Sequence, residues 1–198
     1  MLEMIALSMF LQQVTDGSYC SGFQSMTNSH IPDTLAPMVR EVSAGGVVLR
    51  HLSEGWQVAV IQPRRDQSSV TKKKTKSPAV LLALPKGLVD PGEKPDQTAL
   101  REVCEETGVT ATLVTKLADI KYFYVRSWGD KQRVFKIVSF YLLKYESGRI
   151  DDISDDMRTE VQRALWLPLD EAPEKLAYRS EREVAGKALE YVRSHPDL

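Results

Sequence analysis

The stretch from Gly87 to Val109, GLVDPGEKPDQTALREVCEETGV, constrains this chain more than any other. Asp96, just after Pro95, is a good N-cap and Gly108 a good residue to end a helix, so a helix is expected from about Gln97 to Thr107. On it, Leu100, Val103, Cys104 and Thr107 follow i, i+3, i+4, i+7 spacing and make the expected buried stripe. Glu102, Glu105 and Glu106 then project from the other side. Three carboxylates crowded in a partly dry cleft repel one another, and a divalent hard cation is the usual physical remedy. Arg101 is placed to reach back to Glu93 in the preceding loop, a structural pair that locks loop to helix.

The segment before the helix suits a phosphate. LLALPKG reads as a short buried strand entering a turn, where Pro85 fixes φ, Lys86 supplies a cation and Gly87 permits close backbone approach. Gly87, Glu93, Arg101, Glu102, Glu105, Glu106 and Gly108 together fill every fixed position of the pattern G-x5-E-x7-R-E-U-x-E-E-x-G-U, with U aliphatic. Seven such matches arise by chance with a probability on the order of 10⁻⁶. The stretch therefore resembles the Nudix box, and the chain is similar to Nudix hydrolases.

That resemblance implies that the Gly87 carbonyl and the carboxylates of Glu102, Glu105 and Glu106 bind Mg²⁺, or Mn²⁺, across a diphosphate, with Glu102 as a third ligand or as the base. It implies attack of water on a P–O–P linkage. Many relatives carry Trp where this chain has Leu82, which removes one ring at the cleft and leaves the metal ligands intact.

The rest of the chain suits one α/β domain. At 198 residues, 42% hydrophobic and a formal net charge of −1, it can bury a full core and lacks a nucleic-acid signature. Residues 1–38, with glycines, serines and prolines and little period, read as a tail with freedom to move, and residues 39–198 as the domain. No stretch reaches transmembrane length, so no membrane partner is expected. The opening MLEMIALSMFLQQV lacks a basic start, against a secretory signal. Two cysteines, Cys20 and Cys104, suit a reduced, cytoplasmic protein. A monomer or homodimer is expected.

REVSAGGVVLR reads as a strand interrupted at Gly45-Gly46, paired with Trp56 to Gln62 through a turn at Glu54-Gly55. TATLVTKLADIKYFYV, RVFKIVSFYLLKY and ALWLPLDEA supply further strands, and a helix from about Arg179 to Arg193 closes the order. These elements suit a mixed β-sheet sandwiched between α-helices, the α/β/α Nudix fold. RRDQSSVTKKKTKS, from Arg64 to Ser77, is a basic connector: Lys72 to Lys76 read as a solvated loop, Arg64 or Arg65 as a phosphate grip at a strand end. His30, His51 and His195 have no ligand spacing and read as surface residues.

Downstream, Lys136 to Leu142 (KIVSFYL) resembles the K-T-V-x-Y-[WY]-L strand of diadenosine tetraphosphate and diphosphoinositol polyphosphate hydrolases. A lysine on a central strand is costly unless it meets an anion, so Lys136 is a candidate phosphate contact. Tyr122 and Tyr124 fit two readings equally, stacking a base or filling the core, whereas Phe123 and Phe140 read as core. Glu160 precedes Trp166 with the spacing E-x5-W-x-P, which in relatives marks an extra metal ligand or the general base; Asp155 and Asp156 compete for the role. The resemblance ranks dinucleoside polyphosphates first as substrates. Nucleoside triphosphates and diphosphoinositol polyphosphates follow, and a non-hydrolytic nucleotide sensor is the alternative of another class.

Overall fold

In a computed structural model, residues 38–64, 80–126 and 132–198 are described. Residues 1–37 of the expected tail, with Cys20 and His30, and most of the basic connector, including Arg65 and Lys72 to Lys76, lie outside the described residues. Along the chain come β1 (Val39–Leu52), β2 (Gly55–Pro63), β3 (Lys86–Leu88), α1 (Pro95–Thr107), β4 (Val109–Val125), β5 (Arg133–Gly148), a 3₁₀ turn (Met157–Thr159), β6 (Val161–Pro168), α2 (Ala172–Lys175) and α3 (Arg179–Ser194). The strands form one mixed sheet in the order β4-β5-β1-β2-β6, with β3 paired to β1. β1 and β5 run parallel, and the other pairs are antiparallel.

Alternation along β1 sends successive side chains to opposite faces, and each face finds its own helix. Val47 and Leu49 meet Val184, Ala185, Ala188 and Val192 of α3. Val48 joins Val103 of α1, with Ala59 and Leu143. The chain thus has the α/β/α arrangement expected of it. Among the described residues, no helix is long and apolar enough to cross a membrane.

β1 passes through Gly45-Gly46 without the expected interruption. The glycines serve close packing instead. A Cβ on Gly45 would lie 2.4 Å from the Pro85 carbonyl oxygen, and one on Gly46 2.5 Å from a Val103 methyl. Their absence lets the chain before β3 and the helix α1 press on β1 together. That strand's second edge is shared: Ser43 to Gly45 pair with β3, and Leu49 to Leu52 with β2. Between them, Gly46 N–H donates to Pro85 O at 3.1 Å and Ala83 exchanges backbone bonds with Ile61. Leu82 is packed in the α3-side core and does not line the cleft.

α1 begins earlier than expected. Lys94, not Asp96, is its N-cap and Pro95 its first residue, because proline is preset for that position and the Gln97 side chain accepts the Lys94 N–H at 3.1 Å. Gly108, at φ 78°, ends it as expected. Its buried arc is rotated from the expected stripe. Ala99, Val103 and Thr107 are covered, but so are Glu102 and Glu106, while Cys104 is exposed. The reason is β3, which covers the glutamate side: a Cβ on Gly87 would lie 2.1 Å from Glu102, and the Lys86 N–H donates to Glu106.

β4 is an outer strand whose ladder with β5 slips between Thr110 and Ala111, Leu113 and Thr115, and Lys116 and Ala118. Tyr122 and Tyr124 point inward there, so alternation turns Phe123 outward, exposed and stacked on Phe135 at 4.7 Å. The core expectation for Phe123 fails for that reason, whereas Phe140 is fully buried.

Candidate active site

A cleft of about 240 Å³ opens where β3 leaves β1 and meets α1. Glu102, Glu105 and Glu106 form its helical wall, and Glu160, at the end of the 3₁₀ turn, reaches it from another element. Burial pushes Glu102 up to about 7; Arg101 opposes the shift, while Glu105 and Glu160 add to it by repulsion. Burial pushes Glu106 up to about 8, with Lys86 opposing and Glu102 and Glu160 adding. A wall of desolvated, mutually repelling carboxylates favours a bound cation, and its hard oxygen donors suit a divalent one. Gly87 completes the cradle. A Cβ there would sit 2.1 Å from the Glu102 carboxylate.

Among the described residues, no three such groups already converge in a ready coordination shell. They are occupied by protein donors instead. Arg101 gives one nitrogen to Glu102 at 2.7 Å and to Glu105 at 3.0 Å, and the Lys86 N–H donates to Glu106 at 2.8 Å. The donor chemistry fits a divalent metal once these contacts yield.

Arg101 and Glu93 form a two-armed pair, Nε and Nη2 each 3.0 Å from a carboxylate oxygen. Nη2 also reaches the Leu88 carbonyl. Hydrogen bonds from Arg101 and then Thr98 hold Glu93 down at about 2, and the Glu93 bonds hold the guanidinium above its ordinary range. The loop is fixed to the helix by this fork.

The floor comes from the sheet. Tyr122, Lys136 and Glu41 are register partners across β4, β5 and β1, and the first two line the cleft. Lys136 Nζ lies 3.6 Å from Glu41, which also accepts the Tyr124 hydroxyl at 2.8 Å and Arg126 at 2.7 Å. Burial pushes the Glu41 carboxyl up, but hydrogen bonds from Arg126 and Tyr124 outweigh it and hold it below the usual range. Burial pushes Tyr122 up to about 12. Lys86 closes the side towards α3, its Nζ 3.1 Å from Glu181. Burial depresses this ammonium, yet Glu181 and Glu106 more than compensate and raise it above its ordinary range.

The cleft therefore gathers Lys86, Gly87, Arg101, Glu102, Glu105, Glu106, Tyr122, Lys136 and Glu160. Glu93 stands behind Arg101. Arg64 is exposed and outside the lining, although its N–H donates to the Glu160 carbonyl at 2.7 Å. Tyr124, nearly buried on Glu41, is also outside the lining, as are Asp155 and Asp156.

Sequence reasoning missed Glu41 and Glu181, two buried carboxylates that hold cleft cations. Both carried a periodic signal. Glu181 precedes Val184, Ala185 and Ala188 at i, i+3, i+4, i+7 spacing on an apolar stripe, and Glu41 shares the inward parity of Val47 and Leu49. A carboxylate at such a position needs a buried partner.

A NUDIX domain family model matches residues 52–186. The chain belongs to the NUDIX family. A Mycobacterium tuberculosis protein named as the mutator protein MutT4 is 36% identical over 156 residues, 78% of this chain and 56% of that one. An 8-oxo-(d)GTP phosphatase of Mycolicibacterium smegmatis is 34% identical over 72% of this chain and 39% of its own length. The chain thus spans about half or less of these two relatives. An asymmetrical bis(5'-nucleosyl)-tetraphosphatase of Rattus norvegicus is 31% identical over 57% of this chain and 72% of its own. In fold, the crystal structure of a C. elegans Ap4A hydrolase binary complex covers 78% of this chain and 98% of its own, with a TM-score of 0.52 at 21% identity.

Proposed function

We propose that this chain is a metal-dependent diphosphohydrolase that opens a P–O–P linkage in a nucleotide, with a dinucleoside polyphosphate such as diadenosine tetraphosphate as its first-ranked substrate. The observation that carries the reading is that Glu102, Glu105, Glu106 and Glu160 line one cleft beside Gly87, with two of these carboxylates raised to about 7 and 8.

Glu105 and Glu106, with Glu102 and the Gly87 carbonyl, would hold Mg²⁺ or Mn²⁺. Such an ion, when bound, offsets diphosphate charge and makes water a better nucleophile. Glu160, which reaches the cleft from the end of the 3₁₀ turn, accepts the proton of the attacking water, and Glu102 is the second candidate for that role. Lys136 meets the phosphate chain from the floor, with Tyr122 beside it as a platform for a base. Lys86 adds positive charge at the inner wall, and Arg64 extends the reach of cations at the end of β2. Glu93 keeps Arg101 in place and the loop closed on the helix.

The relatives point to nucleotides along two lines, one named for 8-oxo-(d)GTP and one for bis(5'-nucleosyl) tetraphosphate. The Tyr122–Lys136 floor favours the second. Two cysteines in 198 residues suit a reducing compartment, the cytoplasm. The test is hydrolysis of diadenosine tetraphosphate, 8-oxo-dGTP, ordinary triphosphates and a diphosphoinositol compound, each with Mg²⁺ and with Mn²⁺. Fastest turnover of diadenosine tetraphosphate is expected. Tight nucleotide binding without turnover of any of them would overturn the hydrolase reading in favour of a sensor.

A further inference from the structure

The cleft glutamates have cationic neighbours that could neutralise them in place of a metal. Arg101 lies against Glu102 and Glu105. Lys86 donates its backbone N–H to Glu106, and its ammonium charge acts on the same carboxylate. Each of these cations also has a carboxylate outside the acidic wall. Glu93 takes two arms of Arg101 from the loop, and Glu181 takes the Lys86 ammonium from α3.

Glu181 is an unusual residue for its place. It is 2% exposed, on the stripe that α3 buries against the sheet, where an aliphatic side chain would pack with Val184 and Ala185. One of its oxygens accepts the Leu84 N–H at 2.8 Å and the other meets Lys86 at 3.1 Å. A carboxylate held this deeply is costly without such partners, and an apolar residue would serve stability as well or better. Without it, the carboxylate next to this lysine is Glu106, which already accepts the Lys86 backbone N–H at 2.8 Å.

We infer that Glu181 is a positioning residue for the metal site: it draws the Lys86 ammonium toward α3 and so keeps Glu106 available to a divalent cation. The inference rests on the metal-dependent reading proposed above, and it adds that the two helices flanking the sheet are joined through the charge of one lysine.

The experiment is Mn²⁺ titration of the full chain, with free Mn²⁺ read by electron paramagnetic resonance, beside thermal melts of the metal-free protein. In Glu181→Gln the amide oxygen still accepts the Leu84 N–H but no longer balances Lys86. The ammonium then turns to Glu106, and Mn²⁺ affinity falls by roughly tenfold or more, as for other outer-shell changes. Adding Lys86→Met removes the misplaced charge and returns affinity to the parent value. If the single variant does not fold, this neutral pair decides the matter, because neutral replacement of a buried ion pair is generally tolerated.

A Glu181→Gln protein with a lower melting temperature but unchanged Mn²⁺ affinity would show a structural role alone and overturn the inference. So would a double variant that binds Mn²⁺ more weakly than the parent. A parent that binds no Mn²⁺ is a different result, since it overturns the metal-dependent reading itself and the inference with it.

Discussion

On the helical wall of the cleft, Glu102, Glu105 and Glu106 sit within five consecutive residues of α1, whereas the floor draws Tyr122, Lys136 and Glu41 from three strands. The wall is a local object. Helical geometry alone brings its carboxylates together, and the cost of crowding them is carried by Arg101 and Lys86. The floor exists only after the sheet has formed in register, and its lysine is balanced by a glutamate from the start of β1. The wall is therefore suited to one fixed chemistry, while the floor can vary substrate without disturbing it.

The largest effects should separate the two regions outright. Glu105→Gln and Glu106→Gln should each fold, because neither removes apolar packing, yet lose turnover by at least roughly 10²-fold. Steady-state kinetics with one substrate and saturating Mg²⁺ checks this. Near-parent turnover in either variant would detach the wall from the chemistry.

Arg101→Ala comes next and sharpens the claim that the wall is self-supporting. It strips hydrogen bonds from Glu93, from the half-buried carbonyl of Leu88 at the end of β3 and from Glu102, so metal-free stability should fall by about 1–3 kcal/mol. Urea denaturation measures the loss. An unchanged midpoint would mean that the guanidinium acts on substrate and not on the loop.

At the floor, Tyr122→Leu should reduce kcat/KM for diadenosine tetraphosphate roughly tenfold more than for a diphosphoinositol compound, the worth of a stacked base. Tyr124→Phe should leave that ratio unchanged and cost about 1.5–3 kcal/mol of stability, because its hydroxyl serves Glu41. Equal losses on both substrates for Tyr122→Leu would remove the stacking role and make the floor simple packing.

The smallest effect is one of pH. Glu102 and Glu106 have folded values of about 7 and 8, above the ordinary carboxylate range, so between about pH 5 and 8 the folded state holds more protons than the unfolded one. Stability of the metal-free protein should therefore decline as pH rises through that window. Mg²⁺ should oppose the decline, and Glu106→Gln should flatten it. A melting temperature that climbs with pH in the absence of metal would contradict the charge balance assigned to the wall.

The same contrast explains what was legible in the sequence. The wall, its loop and the Glu93–Arg101 fork lie in one short stretch where spacing translates directly into geometry, and the strands announced themselves by β-branched and aromatic runs. Glu41 and Glu181 did not. Their partners lie far away in sequence, and a carboxylate looks like ordinary surface until periodicity places it inside. α1 is capped at Lys94 and not Asp96 because Pro95 and Gln97 together outweigh it, and the Gly45-Gly46 pair is ambiguous in sequence because close packing and a broken strand call for the same residue. Cys104 and Phe123 show the converse: the helix and strand periods are legible in the sequence, but which arc is covered depends on neighbours from elsewhere in the fold.

The slips in the β4–β5 ladder have a consequence for life in a crowded solution. As an outer strand, β4 offers a row of backbone donors and acceptors, beside the exposed rings and side chains of Phe123 and Val125. A straight strand of 17 residues would be a template for uncontrolled growth by edge pairing. Interruptions at Thr110, Leu113 and Lys116 break the first half of that template into short lengths, so a foreign strand can pair in continuous register only along Ala118 to Val125.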